Sequence, residues 1–503
     1  MEYCLDSTGM KKCDKYTIER VGIPSLVLME RAALAVAEEI VRNNEAKEIS
    51  AVIFAGTGNN GGDGIAVGRI LSQWGVRVEI RLVGEENKCS DETIQQLAIA
   101  KELGIELVTN GNLFQKEYNV IVDALFGIGL SREVTGEFAK AITDINSLGK
   151  GGQVYAVDVP SGIHADTGKR LGMAVKADYT VTFQYAKPGL YLLEGRQCSG
   201  QVLIKDIGII KNPAWAQVTP SYITYQKKDL CRIPKRSDRG NKGSFGRVAV
   251  FAGSYEMAGA VYFAADAAYR SGCGLVEIIT HERNRTVLME KLPEAVFTCY
   301  SSEESLEKKA KWQRAVSTAS AIVIGPGLGT DAKAEEILSY VLKEAKVPCV
   351  IDADAINILA CHKEWLRNTK TSCILTPHIK ELSRLNGVEV DVVKEEYAQV
   401  AVKEAKDCGC IIVAKNDRTI VADEKGNTRY LNLSGCNGMA GAGSGDVLAG
   451  MIGGLLAQGM DCLEAACMGV YTHGLAGEAA AEQYGNYSMK ASDIINNIHK
   501  IIN

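Results

Sequence analysis

At 503 residues the chain is longer than one hydrophobic core usually organises, and domain-size statistics point to about two to four domains. Hydrophobic residues at 46% and charged residues at 23% give the balance of a globular protein with sizeable cores. A net charge of −5 excludes any broad electrostatic attraction for nucleic acid or anionic membrane, so recognition of phosphate has to be local. The fifteen cysteines lie scattered without paired CxxC spacing and read as reduced, buried thiols, with Cys408 and Cys410 expected on opposite faces of one strand. The N-terminus lacks a basic stretch followed by an apolar core, and no run of about 18 apolar residues occurs. Neither export nor a membrane span is expected; a reducing cytoplasm fits.

Residues 24–43 open with Pro24, a favoured first helical residue, and place Leu26, Met29, Ala33, Val36, Ala37 and Ile40 along one face, which predicts a packing helix. The apolar run at 49–55 then ends in GTGNNGGDG (56–64), after which Ile65, Ala66 and Leu71 suggest a helix. Strand, glycine loop and helix is the order of phosphate-binding units. The spacing is a poor GxGxxG match, and Asn59 and Asn60 in its middle leave two readings open, a cation site beside a phosphate or an Asn-Gly turn. Further strands are predicted at 76–83, 119–124 and 153–159 between helical segments, which gives a parallel sheet with helices on both faces. Two of them end in polar clusters, Asp123 with a glycine-rich loop at 127–133, and Asp158 with Ser161. Ligands of open α/β sheets sit beyond the carboxyl ends of strands, so Asn60, Asp123, Asp158 and Ser161 should converge.

GTGNNGGDG, DALFGIGL and DVPSG, in this order, resemble the NAD(P)H-hydrate epimerase domain, with the likeness running from the first helix to KDIGI near residue 209. The resemblance implies a Rossmann-like three-layer domain, placed at 1–215, that interconverts the C6 epimers of hydrated NAD(P)H. It implies a K+ ion held by Asn60, Asp123 and Ser161. Substrate contacts would come from Asn59, Asn60, Gly61, Gly62 and Asp63, from Gly127, Ile128, Gly129, Leu130, Ser131, Arg132 and Glu133, and from Asp158. Asp123 and Asp158 are the candidates for moving protons, or for orienting the hydrated ring.

Prolines at 213 and 220 and a lack of periodicity place a linker near 211–225. A second alternating series follows. FGRVAVFAGS (245–254) predicts a strand before a small-residue helix, and AIVIGPGLG (321–329) a strand that ends at Gly325, because Pro326 cannot continue it. CVIDADAIN and CILTPHIKEL end strands in Asp352, Asp354 and His378, the histidine being either structural or presented to ligand by its loop. GCIIVAKNDRTIVAD (409–423) reads as two strands joined by a turn whose Lys415 and Arg418 either meet phosphate or merely tip a charged hairpin. In NGMAGAGSGDVLAG (437–450) small residues lead to Asp446 and then to an apolar helical pattern, which is a helix N-terminus suited to an anion. Asp446 there either caps the helix or accepts a proton from a bound hydroxyl. His473, in the last helices, is expected to be buried.

NKGSFGRVAVFAGS, GPGLG, IDADAIN, TPHIKEL and GSGDVLAG together resemble the ADP-dependent NAD(P)H-hydrate dehydratase domain, over about residues 226–500. The resemblance implies a ribokinase-like α/β domain, placed at 226–503, with ADP, or ATP in some members, and Mg2+ as the nucleotide's ion. By it Ala260, Gly327, His378 and Asp446 line the hydrate pocket, and Lys415, Asn416, Asp417, Arg418, Thr419 and Gly445 bind the nucleotide. The chain departs from the family's pattern at Asn241, where a histidine is usual, and at Asn416, where glycine is. Its partners would be NADHX, NADPHX and ADP, with neither nucleic acid nor membrane, in a homo-oligomer. No GxxxxGK[ST] is present, so a Walker-type site is excluded. A ribokinase-like kinase of a small heterocycle is the alternative enzyme, and a nucleotide-sensing protein with degenerate sites the alternative outside catalysis. The upstream GTGNNGGDG domain argues against the first, and the presence of Asp446, His378, Asp123 and Asn60 against the second.

Overall fold

The computed structural model describes residues 1–44, 48–108, 117–301, 306–427 and 429–502. The chain divides into two compact units, residues 2–222 and 223–503, with Met1 grouped with the second. The stretch 211–225 is structured, carrying a short 3-10 turn at Pro213–Ala216 and a strand at Tyr222–Thr224.

The N-terminal unit is built on a sheet of seven parallel strands in the order 106–108, 77–82, 50–55, 120–124, 153–157, 179–183, 201–205. Strand Ser50–Ala55 is buried at every position because both faces are covered. Ala51, Ile53 and Ala55 join a core with helices Ser25–Asn43, Asn59–Gln73 and Asp91–Glu102, whereas Val52 and Phe54 meet helix Gly136–Leu148 on the other face. Three layers result. Pro24 stands just outside its helix, at the N-cap. NNGGDG is the first turns of helix 59–73 rather than a loop, so the Asn-Gly turn reading is overturned. Its glycines serve closeness: a Cβ on Gly61 would sit 1.8 Å from the Gly56 carbonyl oxygen, and one on Gly64 2.3 Å from Ala124 Cβ.

In the C-terminal unit the strands run 429–431, 420–422, 411–414, 373–375, 349–351, 321–324, 247–251, 275–281, 296–300. From 411–414 to 296–300 they are parallel, while 411–414, 420–422 and 429–431 form an antiparallel edge. Val248, Val250, Val323, Val350 and Ile374 face a core shared with helices Ala258–Arg270, Ser444–Ala457 and Cys462–Tyr484. All cysteines are free thiols, most of them buried. Cys408, however, ends helix Val390–Cys408, and Gly409 in the left-handed region separates it from Cys410, so the two do not share a strand.

Helix 444–457 is set down on helix 258–270 through glycine: a Cβ on Gly450 would lie 2.1 Å from the Ala264 carbonyl oxygen and one on Gly454 2.6 Å from that of Ala268. Gly450→Ala should therefore force the helices apart and cost about 1–3 kcal/mol, read as a lower urea midpoint for this unit. Gly441→Ala, whose Cβ meets open space, should stay within about 0.5 kcal/mol of wild type.

Candidate functional sites at the carboxyl ends of two sheets

The N-terminal unit holds a cavity of about 810 Å³ at the carboxyl edge of its sheet. Thr57, Gly58, Asn59, Asn60 and Asp63 form one wall, residues 125–132 another, and Asp158, Phe183 and Lys187 a third. Asp123 and Ser161 lie behind this surface, both buried. The Ser161 hydroxyl and amide donate to the Asp123 carboxylate at 2.6 and 2.8 Å, and Ser161 Oγ accepts from the Phe126 amide at 2.9 Å. Gly61 and Gly62 are buried in the helix and Glu133 is exposed, so these three do not line the cavity. The others of the expected set do.

Asn60 packs against Gly127, and its buried Nδ2 finds no hydrogen-bond partner among the described residues. Burial pushes the Asp123 carboxyl up to about 6, against the bonds that Ser161 donates. An amide oxygen, a hydroxyl and a buried carboxylate lacking a cation make a hard-oxygen set that suits K+. Among the described residues no group of three or more His, Cys, Asp or Glu is placed to hold a metal.

Asp158 takes a left-handed backbone, φ 67°, uncommon for a non-glycine residue. It is held there by bonds from Thr182 Oγ1 at 3.0 Å and from Lys187 Nζ at 2.6 Å. Lys187 is fully buried and donates also to Thr182 Oγ1 and the Phe183 carbonyl, at 2.9 and 3.1 Å, so all three ammonium protons are used. The sequence reading missed this lysine. Its one local signal is the position after strand 179–183, where the next carboxyl end contributes to the site. Asp63 has no such cation: burial first, then the negative charges of Asp158 and Asp14, push its carboxyl well above the ordinary range. Helix 25–43, expected only to pack, also lends Leu28, Met29 and Ala32 to the cavity, as the preceding helix lends Asp14.

The second site gathers loops from five strand ends. Asp352, which follows strand 349–351, accepts from Thr376 Oγ1 at 2.6 Å and from Lys415 Nζ at 2.7 Å. Burial works against the charge of Lys415, but Asp352, Glu381 and Asp446 outweigh it and hold the ammonium protonated. That ammonium lies 3.2 Å from where a Cβ on Gly445 would be, so Lys415 packs closely against the GSGD turn and a larger residue at 445 would press on it. Gly443, at φ 89°, begins helix 444–457, and Asp446 in its first turn makes no capping bond. The capping reading of Asp446 is thereby set aside. Burial first, then Asp352 and Asp354 against the opposing pull of Lys415, raises the Asp446 carboxyl to about 7.

His378 caps helix Ile379–Asn386, its Nδ1 accepting from the amides of Lys380 and Glu381 at 3.0 and 3.3 Å. Burial and then Lys415 keep the ring neutral, and it remains half exposed. The structural reading of this residue holds, and its exposed ring leaves the other nitrogen open to solvent. Lys415 N donates to the Pro377 carbonyl at 2.8 Å, which ties TPHIKEL to the 415–419 turn. In that turn Arg418 Nη1 donates to the Leu433 carbonyl at 2.8 Å, whereas Asn416 and Asp417 are exposed. Asn416 does not take the left-handed backbone, so its replacement of a usual glycine strains nothing. Gly327 does, at φ 57°, and its Cβ position lies 2.9 Å from Ala260. The Gly329 amide donates to Asp354 Oδ2 at 2.9 Å, joining GPGLG to IDADAIN. His473 is buried beneath the turn, 3.3 Å from Ser444 Oγ, and burial lowers it to about 4.

Fold and sites define a two-domain α/β protein, a Rossmann-like unit followed by a ribokinase-like unit with a glycine turn for an anion. Residues 248–500 match the family model described as NAD(P)H-hydrate dehydratase, and residues 25–189 that described as YjeF-related protein N-terminus. The bifunctional NAD(P)H-hydrate repair enzyme Nnr of Moorella thermoacetica is 33% identical over 514 aligned residues, covering 98% of this chain and 95% of its own. That of Coxiella burnetii is 35% identical over 501, covering 98% of each. The ADP/ATP-dependent NAD(P)H-hydrate dehydratase of Bacillus subtilis, co-crystallized with ATP/Mg2+, is 28% identical, with a TM-score of 0.49 over 56% of this chain and 98% of that one. The chain belongs to the family of bifunctional NAD(P)H-hydrate repair enzymes.

Lys187→Met should leave the Asp158 carboxylate buried beside the cavity without its cation. The expected loss is about 3–5 kcal/mol, measured as a fall in the urea unfolding midpoint of the N-terminal unit. An unchanged midpoint would show that the pair holds nothing in place.

Proposed function

We infer that this chain repairs hydrated NADH and NADPH at two separate sites. The N-terminal unit interconverts the R and S epimers at C6, and the C-terminal unit dehydrates the S epimer at the expense of ADP. The observation that supports the second activity best is Asp446 itself: an uncapped carboxyl beside the glycine turn, with its proton equilibrium near neutrality.

Hydroxide is a poor leaving group, and phosphorylation replaces it with a good one. Asp446 takes the C6 hydroxyl proton as that oxygen attacks the terminal phosphorus and the bond to the nucleotide breaks. Helix-start amides and the Lys415 ammonium stabilise the charge on the transferring group. The ring nitrogen's lone pair then expels phosphate, C5 gives up a proton, and the dihydropyridine is restored. Mg2+, arriving with the nucleotide, supplies neutralisation of its phosphates. In the first unit, Asp63, whose carboxyl burial pushes well above the ordinary range, is placed to give a proton to the departing C6 hydroxyl, and Asp158, bonded by Lys187, to receive one. K+, for which Asn60, Asp123 and Ser161 offer oxygens, supplies positive charge beside the buried carboxylate. The free thiols support a reducing, cytoplasmic setting. Among the described residues no helix is long and apolar enough to cross a membrane.

Mixed hydrate epimers incubated with Mg2+ and ADP or ATP should regain the near-ultraviolet absorbance of the reduced nicotinamide; no recovery with either nucleotide would refute the reading. A base whose folded-state pKa is about 7 is active only above that value, so kcat should fall as pH drops through about 7, where an ordinary aspartate would hold to about 4. Asp352→Asn removes a like charge and releases Lys415 toward Asp446, so this acid limb should move to lower pH. Asp446→Asn should lower kcat about a hundredfold; near-normal turnover by the folded variant would remove Asp446 from the role of base.

A further inference from the structure

The parallel strands of the C-terminal sheet deliver their loops to one edge, in a row whose order fixes the direction of a bound molecule. The nucleotide turn 415–419 follows strand 411–414 at one end of that row, and Asp446 faces Asp352 and Lys415 near its middle. Strands 321–324, 247–251 and 275–281 continue the row away from the nucleotide turn. With the phosphoryl donor on one side of Asp446, the rest of a dinucleotide whose nicotinamide ring lies there has to leave over these ends. Three strand spacings, about 14 Å, separate the strand before Asp352 from the one that ends at His281.

At that far end stands Tyr255, a ring 58% exposed in the loop that follows strand 247–251. The Arg283 guanidinium lies 5.4 Å from its centroid. His281 meets the ring edge-on, with centroids 5.7 Å apart, and its Nδ1 accepts from the Arg283 amide at 3.3 Å. The loop beneath is fixed: buried Asn284 donates to the Ser254 carbonyl at 2.9 Å, and the Ser254 amide donates to the Gly327 carbonyl at 2.5 Å. The ring is thus carried on the same backbone that shapes the hydrate pocket, yet most of it is left to solvent. A lone exposed tyrosine would mean little; an anchored one, with a guanidinium over it and in line with the reacting centre, is a platform for an aromatic, anionic group.

We propose that Tyr255 and Arg283 form a subsite for the adenosine-phosphate half of the hydrated dinucleotide, the ring stacking the base and the guanidinium meeting phosphate. The subsite rests on the dehydratase reading above. It makes the adenylate half a handle that adds affinity while taking no part in the chemistry at C6.

The test compares two substrates, hydrated NADH and the hydrate of reduced nicotinamide mononucleotide, which lacks the adenylate half, in wild type, Tyr255→Ala and Arg283→Gln. For each variant KM for hydrated NADH should rise about tenfold with kcat little changed, while KM for the mononucleotide hydrate stays at the wild-type value. Tyr255→Phe, which keeps the ring, should restore the lower KM. An equal rise for both substrates, or none for either, overturns the subsite while leaving the dehydratase assignment standing. Wild-type enzyme that turns over neither hydrate overturns the dehydratase assignment itself, and the subsite with it.

Discussion

Lys415 reaches across the end of strand 373–375 to Asp352, with Thr376 from the intervening strand completing the contact at 2.6 Å. Most of the C-terminal site follows from this buried pair. Because the ammonium lies 3.2 Å from the Cβ position of Gly445, the small residue there lets the turn lie close over it. Because Asp352 holds Lys415, the ammonium that bears on Asp446 is kept partly engaged elsewhere. Asp446 consequently feels burial and two like charges more strongly than it feels the lysine, which brings its carboxyl to the neutral range. A free lysine would have paired with Asp446 and left it an ordinary anion.

The N-terminal unit solves the same electrostatic problem with the same three residue types. Asp158 follows one strand, Thr182 lies in the neighbouring strand, and Lys187 follows that strand, the aspartate accepting from both. There too a second carboxyl, Asp63 in the place of Asp446, is pushed upward, by burial first and then by its acidic neighbours. In each unit one aspartate accepts from a lysine ammonium, and burial pushes the carboxyl of its neighbour upward. The device needs no shared reaction, only a parallel sheet whose adjacent carboxyl ends present Asp, Thr and Lys to one another.

How much of this the sequence carries depends on the range of the interaction. Strands such as 50–55 and 321–324 are legible because a run of β-branched residues ended by glycine has few alternatives, and the turn before Asp446 because small residues precede an apolar helical period. Lys187 is not, since a single lysine in QYAKPG acquires its meaning only when strands 153–157 and 179–183 lie side by side. NNGGDG read as a loop for a related reason: glycine argues locally against helix, and only the approach of helix 59–73 to Gly56 and Ala124 shows why it is tolerated. Cys408 and Cys410 were expected on opposite faces of one strand, but residues two apart in a strand share a face, and Gly409 ends a helix between them instead. The two departures from the family's pattern have local accounts. Asn241 closes its own turn, its Oδ1 accepting from the amides of Gly243 and Ser244 at 2.9 and 3.2 Å, and Asn416 sits where no left-handed residue is needed.

The charge around the C-terminal turn constrains the form in which a nucleotide enters. Asp352, Glu381 and Asp446 all act on the Lys415 ammonium, with Asp354 close to Asp446 and Arg384 bearing on Glu381, and Asp352 already uses part of the lysine. Glu381, raised to about 7 by burial, relieves some of this by holding a proton. Even so, bare phosphates would meet more negative than positive charge, and the half-charge of one helix start does not offset the difference. A counter-ion brought with a nucleotide would offset that charge, and the amides of the GSGD turn would then place a phosphate rather than neutralise it. In a chain whose net charge is −5, any recognition of phosphate at this turn has to rest on local geometry and local cations.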